Sequence, residues 1–159
     1  MSDTNVPVSR RQFCAGACHA ASGVTLATLF SACGSSPSLP SSSASAAVRL
    51  AVLSGVFTGS ALNVTVTNSA LATVGGAALV ESNAGNFLLS RTSANAFSVV
   101  EAVCTHEGCE ITGVDGAEYV CPCHGSRYDR NGHVLAGPAK ASLRQYPSSF
   151  AGDVVSIPL

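Results

Sequence analysis

The sequence predicts an all-β domain of small antiparallel sheets, and three observations predict it. Short runs rich in Val, Leu, Phe and Thr recur between Gly, Asn, Ser and Pro. Turn residues punctuate them at Gly75-Gly76, Asn83-Ala84-Gly85, Asp115-Gly116, Asn131-Gly132 and Gly152-Asp153. No segment carries three turns of amphipathic helical spacing, and tryptophan is absent. The 159 residues have room for one domain plus leader segments. Charged residues make up 11% and the formal net charge is −1, so there is no basic excess to hold nucleic acid by its phosphates.

In chain order, residues 1–33 read as an export signal. Ser9-Arg10-Arg11-Gln12-Phe13 precedes a mildly apolar run of 20 residues from Phe13 to Ala32, followed by small residues. The paired arginines resemble a twin-arginine signal. The run is long enough to span a bilayer, so a signal retained as an anchor satisfies the same residues. Its end, Leu29-Phe30-Ser31-Ala32-Cys33, resembles a lipobox with Cys33 as the lipidated residue, Phe30 standing where Leu is usual; the alternative is an ordinary cleavage site. Cys14-Ala15-Gly16-Ala17-Cys18-His19 is one residue too long for haem attachment. Residues 34–47 are mostly Ser, Ala and Pro and read as a flexible tether spanning roughly 20 Å.

The folded part is expected over 48–159. Its candidate strands are Val48–Phe57, Leu62–Thr67, Ala77–Glu81, Phe87–Arg91, Phe97–Val103, Tyr119–Cys121, His133–Ala136 and Val154–Ile157. Leu62-Asn63-Val64-Thr65-Val66 alternates as a half-buried strand should.

Four of the seven cysteines crowd into a 20-residue window, in two boxes. The first is Cys104-Thr105-His106-Glu107-Gly108-Cys109, the second Cys121-Pro122-Cys123-His124-Gly125-Ser126. Cys-x-His on one loop and Cys-x-x-His on another supply two thiolates and two imidazoles, and the 14 residues between His106 and Cys121 suffice for a hairpin that sets the loops face to face. Such a set can close a tetrahedral zinc site, and spacing alone does not exclude it. Cys109 and Cys123, one in each box, are surplus to four ligands and argue for a different centre.

The paired boxes resemble the Rieske iron–sulfur proteins of quinol:cytochrome oxidoreductases, closely from about Phe97 to Ser142 and in outline elsewhere. The resemblance implies a small β-sandwich base with an inserted cluster-binding subdomain over about 100–142. It implies one [2Fe–2S] cluster, with Cys104 and Cys121 on one iron and His106 and His124 on the other. It implies a Cys109–Cys123 disulfide and hydroxyls of Ser126 and Tyr128 that donate to sulfur and raise the potential. Together these belong to the family's high-potential branch. Gly137-Pro138-Ala139 matches the proline loop that covers the cluster, with Lys140 in place of a second proline. Tat export of folded proteins fits a cluster assembled before export, to the periplasm or the outer face of the cytoplasmic membrane.

One departure bears on function. Glu107 occupies a tip position that is apolar in quinol-oxidising members, where a buried carboxylate would be costly. Between Cys104 and His133 five acids (Glu107, Glu110, Asp115, Glu118, Asp129) stand against Arg127 and Arg130, an acidic tip suited to a basic partner surface. His133 is expected at the surface, outside the ligand set. The functions expected are electron transfer in a quinol:cytochrome-type chain or, alternatively, the small subunit of an exported molybdenum oxidoreductase such as arsenite oxidase. A c-type cytochrome, a cytochrome b subunit or a molybdenum subunit would be the redox partner. A ferredoxin for a Rieske oxygenase fits poorly, since those lack the bridging cysteines. No substrate pocket is legible, so catalysis by this chain alone is not expected.

Overall fold

The computed structural model describes residues 47–159. The export signal, the lipobox at Cys33, the Cys14–Cys18 motif and all but the last residue of the tether lie outside the described residues. Among the described residues there is no helix, and fourteen strands form three sheets.

Sheet A orders β1 (Val48–Arg49), β8 (Gly113–Asp115), β9 (Glu118–Val120), β10 (Arg127–Tyr128) and β11 (Val134–Ala136) as β1-β8-β9-β10-β11. Sheet B orders β2 (Ala51–Ser54), β5 (Ala77–Glu81), β6 (Phe87–Arg91), β7 (Phe97–Glu101) and β12 (Gln145–Tyr146) as β12-β7-β6-β5-β2. Sheet C orders β3 (Val56–Thr58), β4 (Ala61–Thr65), β13 (Ser149–Ala151) and β14 (Val154–Pro158) as β13-β14-β4-β3.

Sheet B is the middle layer. Leu79, Leu88 and Val100 form one cross-strand row and pack into a core with Tyr119 and Tyr128 of sheet A. The next row, Ala78, Leu89 and Val99, packs into a second core with Leu62, Val64, Val155 and Ile157 of sheet C. Buried on both faces, β5 and β6 read as continuous apolar runs, Ala77-Ala78-Leu79-Val80 and Phe87-Leu88-Leu89. Strands β4 and β14, buried on one face, alternate.

The run Val48–Phe57 is not one strand. It splits into β1, β2 and β3, each the edge of a different sheet. Its apolar residues follow no single two-residue period, so no one sheet can bury them. The chain is handed on where the Leu50 N–H donates to Thr112 O (2.8 Å) and the Gly55 N–H to Glu81 O (3.2 Å). The sheets are also not wholly antiparallel: β2 pairs with β5 in parallel. Strands β8, β10, β12 and β13 go beyond the sequence-based expectation.

Sheet B also positions the cysteine boxes. Strands β7 and β12 are neighbours, so the chain leaves sheet B after Glu101 and returns to it at Gln145. The Glu101 N–H donates to Arg144 O (2.8 Å) and closes that neck. Both boxes and most of sheet A lie in this excursion.

Candidate metal centre

The two boxes fold into the same hydrogen-bonded loop. In the first, the Cys104 N–H donates to Cys109 O (2.8 Å) and the Gly108 N–H to Cys104 O (2.9 Å). In the second, the Cys121 N–H donates to Ser126 O (2.9 Å) and the Gly125 N–H to Cys121 O (3.0 Å). Each loop closes on a glycine with positive φ, 75° at Gly108 and 71° at Gly125, a conformation that favours glycine. The shared pattern is Cys-x-x-x-Gly-x, with the histidine one place later in the second box.

A disulfide joins Cys109 to Cys123 and ties the loops together. Cys104 and Cys121 stay free and buried. The Cys121 sulfur lies within 4.8 Å of both disulfide sulfurs. The rings of His106 and His124 meet edge to face with centroids 5.0 Å apart. Glu107 joins them at the rim, its carboxylate 3.6 Å from His124 Nδ1 and its side chain 60% exposed.

The two thiols differ. Burial works to raise the Cys104 pKa, but hydrogen bonds from the Tyr128 hydroxyl, the His106 N–H, the Cys121 thiol and the Ser126 hydroxyl outweigh it, and the pKa falls below the usual thiol range. Burial raises the Cys121 pKa, and the neighbouring Cys104 sulfur pushes it further, against the N–H groups of Cys123 and His124.

The donors converge on Cys104. Tyr128, fully buried, sets its hydroxyl 3.3 Å from Cys104 Sγ and accepts the Thr105 N–H at 3.2 Å. Thr105 Oγ1 lies 3.1 Å from the same hydroxyl and donates its own proton to Ala141 O (2.6 Å). With its own proton spent, Thr105 Oγ1 is a second acceptor for the tyrosine proton beside the Cys104 sulfur, and a charged sulfur is the stronger of the two. Ser126 Oγ, also fully buried, accepts the Ala139 N–H at 3.2 Å. Segment 137–141 is thus strapped over the loops at two points. Gly137 makes its close approach possible: a Cβ there would lie 2.6 Å from Ser126 Cα, and φ is +93°. Thr105 was missed in the sequence, because its two partners come 23 and 36 residues later.

The acids are not the free patch that counting suggests. Arg127 Nε donates to Glu118 Oε2 (2.5 Å) and Arg127 Nη2 to Asp115. Asp129 pairs with His133 at 2.9 Å, and Asn86 donates to Glu110. His133 sits outside the ligand set with its side chain 60% exposed.

The residues fit a metal cluster on their own chemistry. Two free thiols are buried side by side, and His106 Nδ1 is shielded from solvent without a hydrogen-bond partner. Soft sulfur and imidazole donors suit iron or zinc. Fold and donor set define a β protein that presents two free buried thiols and two imidazoles on disulfide-linked loops. The profile of the Rieske [2Fe-2S] domain matches residues 62–147, and the chain belongs to that family, whose domain carries one [2Fe–2S] cluster.

The cytochrome b6-f complex iron-sulfur subunit of Chlorobaculum thiosulfatiphilum is 43% identical over 63 residues, 39% of this chain and 35% of that one. The subunit of the same name from Prochlorococcus marinus (strain MIT 9211) is 56% identical over 45 residues, 28% of this chain and 25% of that one. The matches thus span about a third or less of those relatives' length. A naphthalene 1,2-dioxygenase solved with indole in its active site shares the fold at TM-score 0.51 and 15% identity, over 61% of this chain and 25% of that one.

Proposed function

We propose that the chain is a one-electron carrier of the high-potential Rieske branch, with Cys104 and Cys121 on one iron and His106 and His124 on the other. The observation that carries this reading is the pair of free thiols buried in one core, on loops that also bring two imidazoles face to edge. When bound, the cluster accepts and returns one electron at a potential of roughly −150 to +300 mV, since two neutral imidazoles replace two thiolates. The chain excludes water from the sulfurs by burying Cys104 and Cys121 under segment 137–141. It directs the Tyr128 hydroxyl at sulfur, where hydrogen bonding favours the reduced state. It leaves the imidazole edge at the rim, where a partner can reach it.

The redox partner proposed is a cytochrome b subunit or a c-type cytochrome, by likeness to the b6-f iron–sulfur subunits. The exposed Glu107 carboxylate beside His124 favours a second reading, the small subunit of an exported molybdenum oxidoreductase such as arsenite oxidase. There the tip meets a protein surface rather than a quinol pocket. The proposed location is outside the cytoplasmic membrane, held there by lipid on Cys33 or by a retained signal. Arg10-Arg11 supports this, and so does the Cys109–Cys123 disulfide, which a reducing cytoplasm would open.

Iron and labile-sulfide analysis with EPR tests the reading. Two irons, two sulfides and a reduced-state spectrum of low average g value are expected. The signal should be lost or changed in type in His106→Ala and His124→Ala. Bound zinc without sulfide, or an unchanged spectrum in either variant, would remove the assignment. Reduction of the holoprotein by quinol or by a purified molybdenum subunit distinguishes the two partners.

A further inference from the structure

The geometry points to Arg127 as a positioning residue that sets the cluster's potential by holding Tyr128 against Cys104; this rests on the function proposed above. Strand β10 has two residues, Arg127 and Tyr128. It pairs with β9 only through Arg127↔Val120 and Tyr128↔Tyr119. On its other side the register with β11 shifts between these same two residues. The ladder is short, and beyond it the backbone is held by the Cys121 N–H on Ser126 O (2.9 Å) and the Asp129 N–H on His133 O (2.9 Å), while the Tyr128 hydroxyl must sit 3.3 Å from Cys104 Sγ.

The two residues point to opposite faces of sheet A, as neighbours on a strand do. Tyr128 is fully buried; the Arg127 side chain is 33% exposed. On that outer face Asp115 of β8 and Glu118 of β9 stand directly opposite one another. Like charges in such a pair repel and drive strands apart. Arg127 answers both, with Nη2 on Asp115 and Nε on Glu118 Oε2. One guanidinium thus clamps three consecutive strands, β8, β9 and β10. The planar fork is what spans both carboxylates, and an ammonium cannot reproduce it. Loss of the clamp leaves two facing carboxylates whose repulsion displaces the strands, and a shift of under an ångström takes the tyrosine hydroxyl beyond hydrogen-bond range of the sulfur.

A charge effect must be separated from positioning, because any cation near a cluster eases reduction. Two variants of the holoprotein do so. Arg127→Lys keeps the charge and removes the fork: positioning lowers the potential, charge alone leaves it unchanged. Asp115→Ala/Glu118→Ala removes two negative charges and both acceptors of the fork: charge alone raises the potential, positioning lowers it. Protein-film voltammetry should find both variants lowered, with the reduced-to-oxidised ratio at fixed potential reduced about three- to tenfold, tenfold being 59 mV. In a Tyr128→Phe background neither change should lower the potential further. Hydrogen exchange of the Thr105 amide, which donates to Tyr128, should quicken in Arg127→Lys. A wild-type potential in Arg127→Lys, a rise in the double variant, or the same fall without the tyrosine hydroxyl would each overturn the proposal and leave the function standing. A wild-type protein that binds no iron–sulfur cluster would overturn both.

Discussion

Tyr128 and Cys104 meet hydroxyl to sulfur at 3.3 Å inside a core that excludes water from both, although 24 residues separate them in sequence. The tyrosine oxygen accepts the Thr105 N–H, and its proton is shared between the Cys104 sulfur and Thr105 Oγ1. Deleting the hydroxyl should therefore destabilise the more negative state. Tyr128→Phe should lower the midpoint potential by about 60 mV, the one-electron equivalent of a tenfold change, with the EPR line shape retained. Voltammetry checks it, and an unmoved potential would detach this contact from tuning.

The disulfide should matter to stability before it matters to tuning. It closes a loop of 14 residues, worth about 3 kcal/mol through the unfolded chain. Cys109→Ser/Cys123→Ser should unfold at lower denaturant and release iron sooner on warming. Visible absorbance and circular dichroism, followed together, test whether both losses coincide.

Gly137 is fixed by what lies beneath it. Alanine there meets Ser126 Cα at 2.6 Å in a backbone conformation foreign to side chains, so Gly137→Ala should destabilise the fold by about 2 kcal/mol. The strap from Ala139 to Ser126 should loosen with it. Thermal unfolding gives the first effect, and amide exchange at Ala139 the second.

Acid stability should show Asp129. Burial works to raise its pKa, but the His133 ring and the N–H groups of His133 and Asn131 outweigh it, and the carboxyl titrates below its ordinary value of 3.8. A depressed folded pKa means a stabilisation complete above the unfolded value and lost as pH falls through the folded one. The difference in urea midpoint between the wild type and Asp129→Asn should hold above about pH 4.5 and shrink below pH 3.8. A difference independent of pH would assign the contact to packing rather than charge.

The two cysteine–histidine loops were legible because their chemistry is local. Each box places a cysteine, a histidine and a loop-closing glycine within six residues, and the surplus cysteines mark the two loops as partners. The alternation of β4 and the continuous runs of β5 and β6 were legible for the same reason. What escaped depends on where the chain comes back. Thr105 gains its role from Tyr128 and Ala141, and Asp115 and Glu118 meet Arg127 because β10 brings it across them. The stretch 48–57 has the residues of one strand, yet three sheet edges compete for it and each takes a part. Strands β12 and β13 are two and three residues long and exist through their partners.

The strand order also sets a timetable for synthesis. The edge strand β1 has no partner until β8 has been made, and the five-residue pairing of β4 waits for β14, near the end of the chain. No layer-complete domain can therefore form while the ribosome still holds these later strands. At about 5–20 residues per second, synthesis of residues 47–159 takes on the order of ten seconds, and the domain cannot close before those later strands are made. Through that interval the chain is an unfinished protein, with the free thiols of both boxes still arriving.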